Sequence, residues 1–269
     1  MSPADATTTA RVGHPLDQDL HTAASAGELR LAYQPILDLE DESVVGVEAL
    51  VRWQHPVQGL VGPVVFMPYA ERSGLIVDIG DWVIREACRQ SAAWAAAAAT
   101  ALPLIVSINI SDRQLAQGAG LLDSVRAAVD ASGTDPSGLV MEVTEAGLVA
   151  DAETGIGVLH ELKSLGVKLA IDDLGAGYSS HGCLTRTPVD LLKIDRSFVA
   201  GLGHSEDDTA TVRGVIELAH AFDIQAVAEG IETRGQLATL QNLGCGYGQG
   251  YLWSPGRPAA DLGPILFRA

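Results

Sequence analysis

Apolar runs and helical patterns alternate along almost the whole chain. Extended runs are expected at 31–39, 44–53, 104–110, 139–143, 168–172, 191–194, 225–228 and 250–253. A short helical segment, DLHTAASAGEL, leads into the first of them, and amphipathic helical patterns occupy 81–98, 121–131, 152–165, 208–222 and 234–243. Gly133, Gly166 and Gly244 stand where these helices should end, the position at which glycine takes a left-handed cap without steric cost. Strand runs alternating with helices predict a parallel sheet, and eight such runs predict closure into a barrel.

One connection breaks the regular pattern. Only EDES separates the first two runs, whereas a parallel crossover needs about a dozen residues or more. The first two strands must therefore be antiparallel. The expected fold is α/β: a TIM-like (β/α)8 barrel with its first strand antiparallel to the rest. Residues 1–15 carry no periodic apolar pattern and are expected to form a disordered tail or linker. Residues 16–269 then make one domain.

Composition narrows the choice of partners. Apolar residues make up 47% of the 269-residue chain but aromatics only 5%, so Ala, Val, Ile and Leu must fill the core, as buried parallel strands do. Seventeen Lys and Arg against 34 Asp and Glu give a formal charge of −17. Such a surface repels nucleic-acid polymers and anionic membranes, and an anionic substrate would need a divalent cation to neutralise it locally. The apolar stretch SAAWAAAAATALP is Ala-rich and reads as a helix end, so no membrane insertion is expected. Cys88, Cys183 and Cys245 form no CxxC pair and no secretory signal is visible, which fits reduced, buried thiols in a cytoplasmic protein.

In a barrel of this kind chemistry gathers at the C-terminal ends of the strands. Polar residues recur there: Asn109 in SINIS, Glu142 and Glu145 in MEVTE, Asp172 and Asp173 in AIDDLG, Lys193 and Asp195 in LKID, and Glu229 and Glu232 in AEGIE. Glu48 interrupts the second strand and Gln249 opens the last. Solvated loops explain any one of these charges. They do not explain Glu48 and Glu142, which sit within apolar runs, where an unpaired buried carboxylate costs several kcal/mol or becomes neutral. A bound divalent cation removes that cost, and oxygen ligands without His or Cys favour Mg²⁺ or Mn²⁺ over Zn²⁺. His55 and His160 have no partner at ligand spacing and are expected to be packing or surface residues.

The strings YQPI, VEALVRWQHP, INIS, MEVTE, IDDLGAGYSS, LLKID, VAEGIE and GCGYGQGYLWS occur in that order. Together they resemble the EAL domain family, phosphodiesterases that cleave the bacterial second messenger cyclic di-GMP. The resemblance runs from about Asp17 almost to the C-terminus. It implies one metal held by Glu48, Asn109, Glu142 and Asp172, and a second held by Asp172, Asp173 and Glu229. Lys193 matches the lysine that holds or helps activate the attacking water, and Glu48 and Glu229 belong to the same catalytic group. Gln34, Arg52 and Gln249 match positions at the substrate, where an arginine suits a phosphate. Glu145 matches a residue that braces the loop after Asp173, with Asp195 and Glu232 as further loop support. The implied reaction is attack by a water shared between two Mg²⁺ or Mn²⁺ ions, opening the ring to linear pGpG. Ca²⁺, with its looser geometry, is expected to occupy the same ligands and inhibit. The resemblance also implies a homodimer.

Leu174 and Ala176 replace the Phe and Thr usual in the family loop, and His181-Gly182 replaces the more usual pair downstream, which bears on rate and dimer coupling. A rival reading is a catalytically silent EAL domain acting as a cyclic di-GMP receptor or protein-interaction module. Silent members usually lose metal ligands or the lysine, and this chain keeps each. A third reading, another Mg²⁺-dependent barrel enzyme that abstracts protons next to a carboxylate, accounts poorly for the ordered motifs.

Overall fold

The computed structural model describes residues 16–97, 104–145, 147, 152–174 and 186–266. The expected tail at 1–15 lies outside them. So do Ala176, His181, Gly182 and Cys183, and the side chains of Asp173 and Leu174.

Ten strands are seen among the described residues: β1 (Leu29–Asp38), β2 (Val44–His55), β3 (Gly59–Val61), β4 (Ile105–Asn109), β5 (Leu139–Thr144), β6 (Lys168–Leu174), β7 (Leu191–Ile194), β8 (Gln225–Ala228), β9 (Tyr247–Gly248) and β10 (Arg257–Pro258). Eight of them close a barrel in the order β1-β9-β8-β7-β6-β5-β4-β2, with β2 pairing back onto β1. β1 runs antiparallel to both of its barrel neighbours, and the other barrel pairs are parallel. The reversed first strand inferred from the short EDES connection is therefore present. β3 and β10 add short antiparallel edges to β2 and β1.

Around the barrel lie α1 (Asp17–Ala23), α2 (Pro63–Ser73), α3 (Leu75–Ala97), α4 (Asp112–Leu115), α5 (Ala119–Ser132), α6 (Ala152–Ser164), α7 (Arg196–Ala200), α8 (Glu206–Ala221), α9 (Arg234–Asn242) and α10 (Ala259–Leu266). The pattern at 81–98 marked only the later part of α3, and α2 was not anticipated. Pro68 interrupts the amphipathic signal of α2, and Gly74, with φ of 86°, turns one helix directly into the next. Among the described residues no helix is long and apolar enough to cross a membrane.

The last strand also departs from expectation. It pairs at Tyr247–Gly248 rather than over 250–253, where the chain forms a turn. YLW has strand-like composition, but Gly250 is pressed on the backbone of Ile231. A Cβ there would come within 2.0 Å of the Ile231 carbonyl oxygen, and Leu252 N–H donates to that same oxygen at 2.9 Å.

Alternation along the strands sorts the side chains. Val47, Ala49 and Trp53 of β2, Val106 and Ile108 of β4, Met141 and Val143 of β5, and Leu192 and Ile194 of β7 belong to the buried apolar core. The intervening residues face into the barrel. Ile36, Gly46, Ile105, Val140, Ala170, Leu191, Val227 and Tyr247 form an apolar layer around a cavity of about 30 Å³. One step nearer the C-terminal ends of the parallel strands the inward residues are Gln34, Glu48, Ser107, Glu142, Asp172, Lys193 and, just past β8 and β9, Glu229 and Gln249. The polar layer thus rests on an apolar floor.

His55 is a packing residue, as expected. Its Nδ1 accepts the backbone N–H groups of Val57 and Gln58, each at 3.1 Å, which leaves Nε2 to donate to Asp19 of α1 at 3.1 Å. His160 contacts the Arg186 carbonyl at 3.2 Å. Cys88 and Cys245 are buried free thiols, and burial pushes both up to about 12.

Candidate active site at the acidic mouth of the barrel

Lys193, near the end of β7, is only 2% exposed and stands at the centre of the polar layer. Its ammonium lies 2.5 Å from Glu229 Oε1, 2.8 Å from Glu142 Oε2, 3.6 Å from Glu48 Oε1 and 3.7 Å from Asp172 Oδ2. Four adjacent or nearby strands thus deliver one carboxylate each to one cation. A lone buried lysine would lose its proton. Burial does pull Lys193 down, but Glu142, Glu48, Glu229 and Asp172 outweigh it and hold the ammonium well above its ordinary value.

Glu48 is held on both oxygens. Oε1 accepts from Asn109 Nδ2 at 2.7 Å, and Oε2 accepts from Gln249 Nε2 at 2.6 Å. Burial raises its pKa, but Lys193 and these two amides reverse the balance and bring it below the usual value. Asn109 ends β4 and is followed at once by the Ser111 cap of α4, whose side chain accepts from Gln114 N at 3.3 Å. That reciprocal cap sets the turn that leaves Asn109 over the mouth. Gly230 takes φ of 69°, so the chain can turn immediately after Glu229.

Two of the other carboxyls, Glu142 and Glu229, behave differently. Burial pushes Glu142 up to about 8, with Lys193 opposing and Glu48, Asp172 and Glu229 adding to the rise. Burial likewise lifts Glu229 to about 7 against the pull of Lys193. Without a divalent cation, then, the cluster balances part of its surplus negative charge by holding protons near neutral pH.

The positions expected to meet substrate also fall at this end. Gln34 is buried, faces Glu48 across the β1–β2 pair and donates to the Ser254 carbonyl at 3.1 Å. Arg52 is half-buried, with Nη1 on the Val51 carbonyl at 2.8 Å. Trp253, which follows β9, donates its indole N–H instead to Glu42 Oε2 of the β1–β2 turn at 2.6 Å. Glu145 is buried beside β5, but the loop expected to rest on it, at 175–185, lies outside the described residues. Asp195 caps α7 by accepting from Ser197 N at 2.9 Å. Glu232 is exposed, and its backbone N–H donates to Gln236 Oε1 at 2.8 Å. Neither carboxylate is among those facing Lys193.

Ser107 was not singled out from the sequence. It lies two residues before Asn109 on β4, hence on the same inward face, and its hydroxyl donates to Glu142 Oε1. The period of two was the available signal.

The donor set fits a divalent cation. It is composed of carboxylate and amide oxygens, it carries more negative charge than Lys193 offsets, and Gln249 Oε1 is buried without a hydrogen-bond partner. Among the described residues no three Asp, Glu, His or Cys side chains form a ready coordination shell. The carboxylates are turned on to the Lys193 ammonium instead, and cation binding would require them to reorient and release protons.

A pH dependence follows for the cation-free protein. Glu142 and Glu229 keep protons in the folded state up to about pH 8 and 7, whereas the unfolded chain releases them near the ordinary glutamate value of 4.5. The folded state therefore binds more protons in that window, and the cluster's contribution to stability is lost as pH rises through it. Glu48 is shifted the other way, so its contribution is lost only under more acidic conditions. Chelator-treated protein is expected to melt lower at about pH 8.5 than at about pH 5.5, with Mg²⁺ raising the midpoint most at the higher pH. Differential scanning calorimetry checks both. An equal midpoint at the two pH values would contradict the assignment.

An eight-stranded barrel with one reversed strand and a buried acidic cluster around a lysine defines the class. The EAL domain family matches residues 17–256, and the chain belongs to that family. The chain is 43% identical over 244 residues to a bifunctional diguanylate cyclase/cyclic di-GMP phosphodiesterase, MucR, of Pseudomonas aeruginosa, covering 91% of this chain and 35% of MucR. It is 41% identical over 251 residues to the cyclic di-GMP phosphodiesterase NbdA of the same organism, covering 93% of this chain and 32% of NbdA. The chain therefore spans about a third of the length of these relatives. Among solved structures, the PaMucR phosphodiesterase in complex with c-di-GMP superposes with a TM-score of 0.88 at 42% identity, covering 93% of this chain and all of that one.

Proposed function

We propose that this chain hydrolyses cyclic di-GMP to linear pGpG at the mouth of the barrel. The observation that carries the reading is the buried Lys193 ammonium gripped by Glu142 and Glu229 within a ring of carboxylates, in a chain that belongs to the EAL family. Glu48, Asn109, Glu142 and Asp172 are assigned to one Mg²⁺ or Mn²⁺ ion, and Asp172, Asp173 and Glu229 to a second. Such ions, when bound, neutralise phosphate charge and acidify a water molecule.

The chain's own residues supply the rest. The half-buried Arg52 guanidinium offers a fixed fork of donors to a phosphate oxygen, and Gln34, opposite Glu48 on β1, is held by the Ser254 carbonyl. Lys193 can donate to the attacking water and keep its lone pair aimed at phosphorus, because its own position is set from four sides. Glu229 lies at the end of β8, beside Lys193, where it can accept the proton that water gives up. One P–O bond forms from the water and one breaks to the ribose oxygen, which takes a proton from solvent while Glu229 returns the proton it accepted. The strands carry these groups on rigid backbone, so little reorganisation is left for the reaction itself.

Purified protein incubated with cyclic di-GMP and Mg²⁺ or Mn²⁺ is expected to yield pGpG on chromatographic separation, with Ca²⁺ suppressing the yield. Binding without pGpG would leave a receptor in place of an enzyme. Neither binding nor turnover would overturn the substrate class.

A further inference from the structure

Glu142 is buried to 2% exposure inside the barrel, and each of its oxygens has a separate hold. Oε2 faces the Lys193 ammonium at 2.8 Å. Oε1 accepts the hydroxyl of Ser107, itself only 2% exposed. Ser107 is paired with Glu48 in the β2–β4 register, so one backbone position stands beside two of the carboxylates assigned to the first cation.

Immediately below lies the cavity of about 30 Å³, walled by apolar residues such as Ile36, Ile105, Val140 and Val227 apart from Ser107, Glu142 and Lys193. A space of that size holds one water at most, and it gives an untied carboxylate somewhere to turn. Beyond Ser107, Lys193 and Tyr247, its described lining offers no other polar side chain to catch Oε1. An alanine would pack against the apolar floor as well as a serine does, so the hydroxyl is there for Glu142.

We infer that Ser107 is a positioning residue for the reaction: by tying Glu142 Oε1 it holds the carboxylate in place while the other oxygen turns from Lys193 to the first divalent cation. This inference rests on the proposed phosphodiesterase reading. Groups that orient a metal ligand typically contribute about 10- to 100-fold in metal affinity or activity, and Ser107 holds the ligand that, among those described, lines the apolar cavity.

The test uses the full chain with Ser107→Ala and Ser107→Thr, and Mn²⁺ binding is followed by electron paramagnetic resonance, independently of turnover. Ser107→Ala is expected to weaken Mn²⁺ binding by about 10-fold or more and to lower kcat to a similar extent. Its KM should change little, because Arg52 and Gln34 are untouched. Ser107→Thr keeps the hydroxyl, has the cavity for its methyl group, and is expected to recover both. If Ser107→Ala does not fold, Ser107→Cys, nearly isosteric but a weak donor, takes its place. Wild-type Mn²⁺ affinity and kcat in the alanine or cysteine variant would overturn the inference, as would a threonine variant that folds and recovers neither. Wild-type protein that binds no Mn²⁺ and opens no ring would instead overturn the functional reading, and the role of Ser107 with it.

Discussion

Replacing Lys193 with methionine is expected to abolish turnover of cyclic di-GMP and to destabilise the cation-free protein by about 3–5 kcal/mol. Methionine fills nearly the same volume, so packing alone predicts a small effect. Charge predicts a large one. Four carboxylates within 3.7 Å of one ammonium lose their shared counterion in a site that water scarcely enters. Protons can replace part of that charge, since burial already lifts Glu142 to about 8 and Glu229 to about 7. The loss should therefore grow as pH rises. At about 2–4 °C per kcal/mol for a chain of this size, the melting midpoint falls by roughly 10 °C.

Mg²⁺ should restore much of that midpoint, because it neutralises the same carboxylates. It should not restore hydrolysis, because the donor that orients the water is gone. Melting curves with and without Mg²⁺, read beside the pGpG assay, separate the two roles. Near-normal turnover in Lys193→Met would remove Lys193 from the catalytic group.

Glu48→Ala is expected to lower turnover by about 10²–10³-fold, the scale on which removal of a preorganised electrostatic group is felt. Glu48 accepts from Asn109 at 2.7 Å and from Gln249 at 2.6 Å, and it faces Lys193. Its removal takes away a proposed metal ligand and leaves the Asn109 amide and the buried Gln249 amide to find new partners. Glu48→Gln should fare little better. A glutamine has one acceptor oxygen where two donors converge, so one N–H must face another. Near-normal activity with unchanged Mn²⁺ affinity in Glu48→Ala would show that the metal assignment is wrong.

Much of the barrel can be read from the chain because its signals are local. Aliphatic runs, glycine stops and amphipathic helices mark where elements begin and end, and the EDES connection is too short for anything but an antiparallel pair. The ordered motifs likewise pick out Glu48, Asn109, Glu142, Asp172, Lys193, Glu229 and Gln249, and the structure brings the side chains of all seven to one layer. Asp195 and Glu232 sit in the same motifs, yet one caps a helix and the other faces solvent. A strand end places a charge near the mouth without saying which way the following turn aims it.

The pattern of inward and outward positions on each strand and the reversed first strand were determined by sequence alone, because each depends on residues within a few positions of one another, and the chemical type of the site was carried by motifs recurring in order along the chain. The depth of each inward residue was decided by closure of the barrel, which sets the register between strands far apart in the chain. Closure put Ser107 beneath Glu142, surrounded Lys193 with four carboxylates and moved the last pairing back to Tyr247–Gly248, where Gly250 could press on Ile231. Burial lifts Glu142, while Lys193 and the Gln249 and Asn109 amides bring the similarly buried Glu48 below its ordinary value, a difference that no single strand carries.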